Sequence, residues 1–223
     1  MKAVFYNRYD AGQKLAERLL AYTNNSDTIV LGLPRGGVPI AYEIAKKLNL
    51  PLDVCLVKKL GLPSYPEVAM GAIAEDTSLR NCNGEITIID RDTAKINRLQ
   101  LEQIQKIAIR EKAELKWRES CYRDRCPRLT IDNRVVIVAD DGMATGLTMH
   151  AAIKVLQQHQ PAKIIIATPV ASKQAIAKVK HFVADFVCLA IPQSFRAVGL
   201  WYEDFSPTTD REVCDLLSQY NYQ

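Results

Sequence analysis

No stretch of this chain is apolar over the length a bilayer crossing requires, and no signal peptide opens it. Both absences predict a cytoplasmic protein with reduced thiols and no membrane contact. Cys-x-x-Cys pairs are missing too, although the chain has six cysteines. Cys55 and Cys188 lie in apolar runs and read as small core residues. Cys121 and Cys126 flank a basic turn with no histidine beside it, which argues against a metal site there. Runs of Lys and Arg interleaved with aromatics are also lacking, and the net charge of +4 is mild. That balance suits an anionic small ligand such as a polyphosphate and speaks against a nucleic-acid surface. No internal repeat is visible. Core-forming residues, in contrast, are plentiful. With 48% hydrophobic and 24% charged residues over 223 positions, the chain fits one α/β domain with an elaboration, or two small domains.

The most informative stretch is Arg134 to His150 with its flanks. Val135-Val136-Ile137-Val138-Ala139 is a continuous, largely β-branched run, the pattern of a strand covered on both faces. It ends in two carboxylates, Asp140 and Asp141, at the carboxyl end where open α/β sheets bind ligands. A short loop of small and hydroxyl residues follows: Gly142, Met143, Ala144, Thr145, Gly146, Leu147 and Thr148. It opens a helix from Thr148 to Gln158, with Met149, Ala152, Ile153 and Leu156 at helical spacing. Amides at that helix N-terminus point at an anion, Thr145 and Thr148 add hydroxyl donors, and Gly146 permits close backbone approach. Two carboxylates beside a phosphate repel it unless they accept hydrogen bonds from hydroxyls or face a cation. A phosphate in the loop with a vicinal diol on the aspartates describes a 5-phosphoribosyl group. A phosphorylatable aspartate or a plain Asp-rich turn leaves the Thr-Gly-x-Thr spacing unexplained.

A second anion loop is predicted earlier in the chain. Thr28 to Leu33 reads as the first core strand and runs into Pro34-Arg35-Gly36-Gly37, before a helix from about Ile40 to Leu48. The glycine pair lets amides converge on an anion, and Arg35 offers a charged fork. No Gly-Lys-Ser/Thr follows, so this is not a Walker loop. Leu52 to Val57 reads as the second strand, ending in Lys58-Lys59. Leu60 to Glu67, with two prolines and a glycine, predicts a mobile loop.

The remaining segments are read more coarsely. Asp10 with Gln13 predicts a capping box for a helix from Ala11 to about Tyr22; Arg8 and Asp10 read as surface charges beside the cap, with reach into a site as the alternative. Val68 to Glu75 and Glu85 to Ile89 read as strands, and Asp92 to about Glu119 as a long helix with an apolar stripe of Ile96, Leu99, Ile104, Ile107, Ala108 and Leu115. The cluster Arg118, Arg123, Arg125 and Arg128 with Tyr122 reads either as added positive potential or as a surface loop. Strands are predicted at Lys163 to Thr168 and Asp185 to Ile191, with a helix capped near Ser172 between them and a closing helix capped by Thr209 and Glu212. The segment Phe195 to Phe205 combines aromatics with acids, so it reads equally as core or as a place where a planar ring stacks.

At Val135 to Thr148 the sequence resembles the type I phosphoribosyltransferases, whose signature is an apolar strand, two acids, two apolar or small residues, and A/D/T-T-G-x-T. The Arg35-Gly36-Gly37 loop looks like that family's pyrophosphate loop, which often holds a non-proline cis peptide. Lys58-Lys59-x-Gly61-Leu62-Pro63 looks like the loop start of adenine-type members, and Phe195 to Phe205 is similar to a base-binding region of 6-oxopurine members. Ala144 stands where the 6-oxopurine members carry an aspartate.

The resemblance implies an α/β fold with a doubly wound, mainly parallel sheet flanked by helices and a hood/insert region including a long helix. It would form one domain: core about 27–59 and 131–192, insert about 60–130, C-terminal hood about 193–223. It further implies a Mg²⁺-dependent transfer of the phosphoribosyl group of phosphoribosyl pyrophosphate (PRPP) to a nitrogenous, purine-like base. The residues implied as catalytic are Asp140, Asp141, Arg35, Lys59 and Glu67, with Asp140 to Thr148 binding PRPP. Pro34, Arg35, Gly36, Gly37, Lys58 and Lys59 would bind pyrophosphate. Trp201, Tyr202, Asp204 and Phe205 would bind the base, and Asp140 and Asp141 would reach the metal through water or ribose hydroxyls. A homodimer is expected. A non-catalytic PRPP sensor and a nucleoside phosphate-cleaving enzyme are the competing readings.

Overall fold

Strands without a polar face must be covered on both sides, and the apolar runs of this chain meet that demand in one sheet. The computed structural model describes residues 4–65, 69–75, 85–89, 96–97, 100–123 and 129–221. Its main sheet has five strands: β1 (Thr28–Gly32), β2 (Leu52–Val54), β6 (Val135–Ala139), β7 (Lys163–Val170) and β8 (Asp185–Ala190). They pair in the order β2-β1-β6-β7-β8, and every pairing is parallel. Alternate residues of these strands feed two separate cores, as the two-residue side-chain period requires. Val30, Ile137 and Ile165 face one cluster, shared with helices α1 (Arg8–Arg18), α2 (Gly37–Leu48) and α6 (Asp210–Asn221). Ile29, Leu31, Val136, Val138 and Ile166 face the other, beneath α4 (Leu147–Gln158) and α5 (Lys173–Val179). The sheet is therefore doubly wound.

A second, antiparallel sheet stands beside it, formed by β3 (Val57–Gly61), β4 (Ala69–Glu75) and β5 (Glu85–Ile89) in that order. This corrects the expected second strand. The run Leu52 to Val57 is divided between two sheets, and Lys58 and Lys59 lie within β3, opposite Ile73 and Ala72, rather than at a strand end. The loop expected from Leu60 accordingly begins after Gly61. The helix α3 (Leu101–Arg123) packs against β3, β4 and α6. It continues past the expected end at Glu119, and Ile96, expected in its apolar stripe, is 80% exposed. Its inner face is mixed, because Glu111, Leu115 and Tyr122 are all buried on it.

Other boundaries shift for identifiable reasons. The side chain of Asn7 accepts from the amide of Asp10, so Asn7 is the cap of α1 and the helix starts three residues earlier than Asp10 suggested. Helix α2 begins at Gly37. Strand β7 runs through Pro169 to Val170, and Ser172 caps α5 as expected, accepting from the amide of Ala175 at 2.9 Å. Thr209 caps α6 through the amide of Glu212, whose own carboxylate takes the Tyr9 hydroxyl instead of closing a capping box.

Where the chain leaves β2, Asp53 is buried at 3% exposure and receives Arg123 Nη1 at 2.5 Å and the Leu129 amide at 3.0 Å. Burial lifts its carboxyl above the ordinary 3.8, while Arg123 pulls it back. Breaking a buried pair strands the remaining charge, so Arg123→Met is expected to destabilise the chain by about 3–5 kcal/mol in urea unfolding at neutral pH. With the carboxyl's folded pKa raised, the deficit vanishes near and below pH 4, where Asp53 is protonated in both states, and grows as pH rises. The double variant Asp53→Leu/Arg123→Met should recover most of the loss.

Candidate functional site

The parallel register sets Gly32 opposite Ala139, so the loops after β1 and β6 leave the same edge of the sheet side by side. The first loop folds back onto the second: the Leu33 amide donates to the Ala139 carbonyl at 2.9 Å, and the Pro34–Arg35 peptide is cis, as the resemblance implied. A Cβ on Gly37 would lie 2.5 Å from the Ala139 carbonyl oxygen, and one on Gly36 would lie 1.9 Å from Asp141 Oδ2. Both glycines are thus required by how closely the first loop approaches the acid pair.

The second loop is fixed from behind. The Met143 amide donates to the Val170 carbonyl at 2.8 Å, the Ser172 amide to the Met143 carbonyl at 2.9 Å, and Ser172 Oγ to the Ala144 carbonyl at 2.6 Å. Gly142 packs where a Cβ would meet Val198, and the Met143 side chain is core. Gly146, at φ +70, precedes the first turn of α4, a conformation glycine adopts without strain. Thr145 is exposed, and Leu147 and Thr148 lie on the first turn of the helix it introduces. This backbone is held, with Thr145 and Thr148 exposed at the helix start.

Asp140 and Asp141 sit at the junction of the two loops. Asp140 Oδ1 accepts the Asp141 amide at 2.9 Å. Asp141 Oδ2 accepts Arg8 Nε and Nη2, both at 2.8 Å. Burial, followed by the charge of Asp141, pushes the Asp140 carboxyl well above its usual range. Burial raises Asp141 as well, and Arg8 opposes that rise. Arg8 was read as surface charge, yet it is 9% exposed, donates Nη1 to the Ser206 carbonyl at 2.7 Å, and stacks 3.9 Å over the Phe205 ring. One sequence signal pointed to it. A cation in the first turn of a helix opposes the dipole, so it needs an acid from elsewhere.

The aromatic segment resolves toward core. Trp201 and Tyr202 are 7% and 5% exposed, which removes both as stacking platforms for a base. Trp201 accepts the Val4 and Phe5 amides through its carbonyl, and the Tyr202 hydroxyl donates to the Asp141 carbonyl at 2.6 Å, so this segment braces the acid loop. Phe205 lies against both Tyr202 and Arg8. Asp204 is exposed and accepts from Ser206.

Pro34, Lys58, Lys59 and Thr148 line one cleft of about 670 Å³, bounded on its far side by α3. Lys58 is paired there with Glu111 at 3.3 Å and Glu114 at 2.6 Å. Arg35 Nη1 lies 3.4 Å from Asp210 at the start of α6. Glu67 lies outside the described residues, as do Arg125 and Arg128.

Residues 5–199 match the phosphoribosyl transferase domain. A Mycobacterium tuberculosis protein named "Putative phosphoribosyl transferase" is 38% identical over 216 residues, 97% of this chain. The chain spans about half of that relative, 47% of its length. The crystal structure of TT1426 from Thermus thermophilus superposes with a TM-score of 0.82 at 36% identity, covering 97% of this chain and 98% of that one. The AQ2163 protein from Aquifex aeolicus shares the fold at a TM-score of 0.50 and 10% identity, over 82% of this chain and 74% of that one.

The acid pair sets a pH signature for the free protein. Because the folded Asp140 carboxyl titrates above the unfolded value of 3.8, the folded state holds more protons between those two points. The stability it confers is complete below about pH 4 and is lost as pH rises through the folded value. Asp140→Asn should flatten that decline and raise the urea stability of the free chain at neutral pH by about 1–3 kcal/mol, the scale of relieving an unsatisfied buried polar group. Equal pH profiles for the two proteins would contradict this.

Proposed function

The chain belongs to the phosphoribosyl transferase family, and from that premise we propose that it transfers the 5-phosphoribosyl group of PRPP to a nitrogenous base, releasing pyrophosphate. The observation that carries the reading is the contact between the glycine loop and the acid pair, with Gly36 against Asp141 and the α4 N-terminus following in the same loop. The 5-phosphate takes the amides of the Thr145 to Thr148 turn, where donors and dipole favour an anion. The ribose hydroxyls donate to Asp140 and Asp141. Arg35, Lys59 and the amides of the glycine loop stabilise charge developing on the leaving pyrophosphate. The base nitrogen attacks C1 of the ribose as the bond to pyrophosphate breaks, through a transition state with oxocarbenium character.

Among the described residues no cluster of three or more His, Cys, Asp or Glu side chains could hold a metal alone. Two half-buried carboxylates, served among the described residues by the guanidinium of Arg8, nevertheless fit a divalent cation that would bring substrate oxygens and water as its other ligands. Mg²⁺ held beside Asp140 and Asp141 would neutralise part of the charge that develops on the leaving pyrophosphate. Arg8 keeps Asp141 oriented, and Tyr202 fixes the backbone of the same residue.

The test is pyrophosphate release from PRPP and Mg²⁺ across a panel of purine and pyrimidine bases, with thermal shift alongside. Release with one base is expected, and Asp141→Asn should lower it about 100-fold or more through loss of sugar alignment. A PRPP-induced shift with no release on any base would favour binding without transfer. Full activity in Asp141→Asn would sink the assignment of Asp141 to the sugar hydroxyls.

A further inference from the structure

The cleft between β3 and α3 carries an arrangement that the two loops do not account for. Lys58 and Arg118 both line it, 24% and 19% exposed, one from the strand and one from the helix. Between them sits Glu114, with Oε2 2.6 Å from Lys58 Nζ and Oε1 3.0 Å from Arg118 Nη2. A single carboxylate is therefore held by two cations contributed by different elements. Arg118 Nε is buried and makes no hydrogen bond, and it lies 3.9 Å from Asp210 Oδ1. A buried N–H without an acceptor is costly, so the site is one acceptor short of being satisfied. Asp210 also draws in Arg35 at 3.4 Å and accepts the Tyr122 hydroxyl, which brings the guanidinium of the glycine loop toward the same end of the cleft.

The lining lacks aromatic rings, and its five cations outnumber the one carboxylate among them, Glu111, which pairs with both Lys58 and Arg110. Its apolar members are Pro34, Val57, Leu62, Pro63 and Ile107, none of them aromatic. Lys106 and Arg110 sit at the rim of the same space. Thr148, at the start of α4, joins the cleft to the phosphate-binding turn. Glu114 is 41% exposed, so its side chain is free to swing into solvent when a stronger anion arrives.

We propose that Lys58 and Arg118 form an anion clamp for the pyrophosphate end of the donor, occupied by Glu114 in the free chain and completed by Arg35. The proposal rests on the transfer reading given above and adds a wall of the pyrophosphate subsite supplied by α3. Asp210 is a positioning residue for both arginines. On binding, phosphate oxygens replace the Glu114 carboxylate between the two cations and give Arg118 Nε its missing acceptor, with no covalent change.

The experiment is calorimetric titration of the full chain with inorganic pyrophosphate, paired with the KM for PRPP. Arg118→Met is expected to weaken pyrophosphate binding about tenfold or more, the scale of one charged hydrogen bond, with Arg118→Lys intermediate. Glu114→Gln is expected to tighten it, an effect that a purely structural role for this ion pair would not produce. Unchanged pyrophosphate affinity in Arg118→Met, in a protein whose melting point shows it folded, overturns the clamp. It does so without touching the transfer reading, provided Asp141→Asn still abolishes PRPP-dependent release. No pyrophosphate binding by the unsubstituted chain overturns both. Weaker rather than tighter binding in Glu114→Gln would show that Glu114 organises the site instead of filling it, and overturns the clamp as stated.

Discussion

Everything at the carboxyl edge of the sheet depends on how two adjacent, half-buried carboxylates are tolerated. Asp140 and Asp141 follow directly from β6, so the strand end fixes their separation and burial. One guanidinium, Arg8, offsets one of them. Holding Arg8 there takes the first turn of α1, the Ser206 carbonyl and the Phe205 ring, and these bring segments from both ends of the chain over the site. The β-bridge between Phe5 and Tyr202 closes that wrap, and the Tyr202 hydroxyl returns to the Asp141 carbonyl. The terminal segments are thus part of the acid pair's support. Among the described residues the Asp140 carboxylate accepts only the Asp141 amide, and Arg8 acts on it through charge alone, so this carboxylate is the less compensated of the two.

The same edge explains why the glycine loop has its composition. Parallel pairing of β1 with β6 leaves no room between the loops for a side chain at Gly36 or Gly37. Closeness of that kind is useful only if the backbone itself is the binding surface, which is how amides meet a phosphate. Three separate segments converge on this region, and each is anchored on a rigid element: the glycine loop on α2, the acid loop on β7 and α5, and the two lysines on β3.

Much of this was legible in the chain, and the exceptions share a cause. Val135 to Thr148 could be read because strand, acids, turn and helix start are all local patterns, and the structure follows them almost residue by residue. The same holds for the strands at 69–75 and 85–89. Leu52 to Val57 misled because an apolar run does not say which sheet it belongs to, and the switch occurs at Cys55 and Leu56, between β2 and β3. Arg8 read more readily as surface charge than as a site residue because its partner lies 133 residues away, and a charge near a helix cap usually means solvent. Trp201 and Tyr202 could not be assigned since a core aromatic and a stacking aromatic look alike in sequence. Arg118 stayed ambiguous because the inner face of α3 mixes Glu111 and Arg118 with Leu115, and reading its apolar stripe alone overlooked the charged positions on the same side.

The charges of the region are sorted in space, and that sorting constrains what can bind. On one side of the Pro34 to Gly37 loop lies the acid pair, deficient in positive charge. On the other lies the β3–α3 cleft, where Lys58, Lys59, Lys106, Arg110 and Arg118 outnumber Glu111 and Glu114. A uniformly anionic ligand would be repelled by the first side, and a cationic one by the second. The proposed donor, hydroxyl-rich in the middle and anionic at its ends, matches that sorting when its diol lies on the acid side of the glycine loop and its pyrophosphate on the other, so on that reading electrostatics alone would orient it.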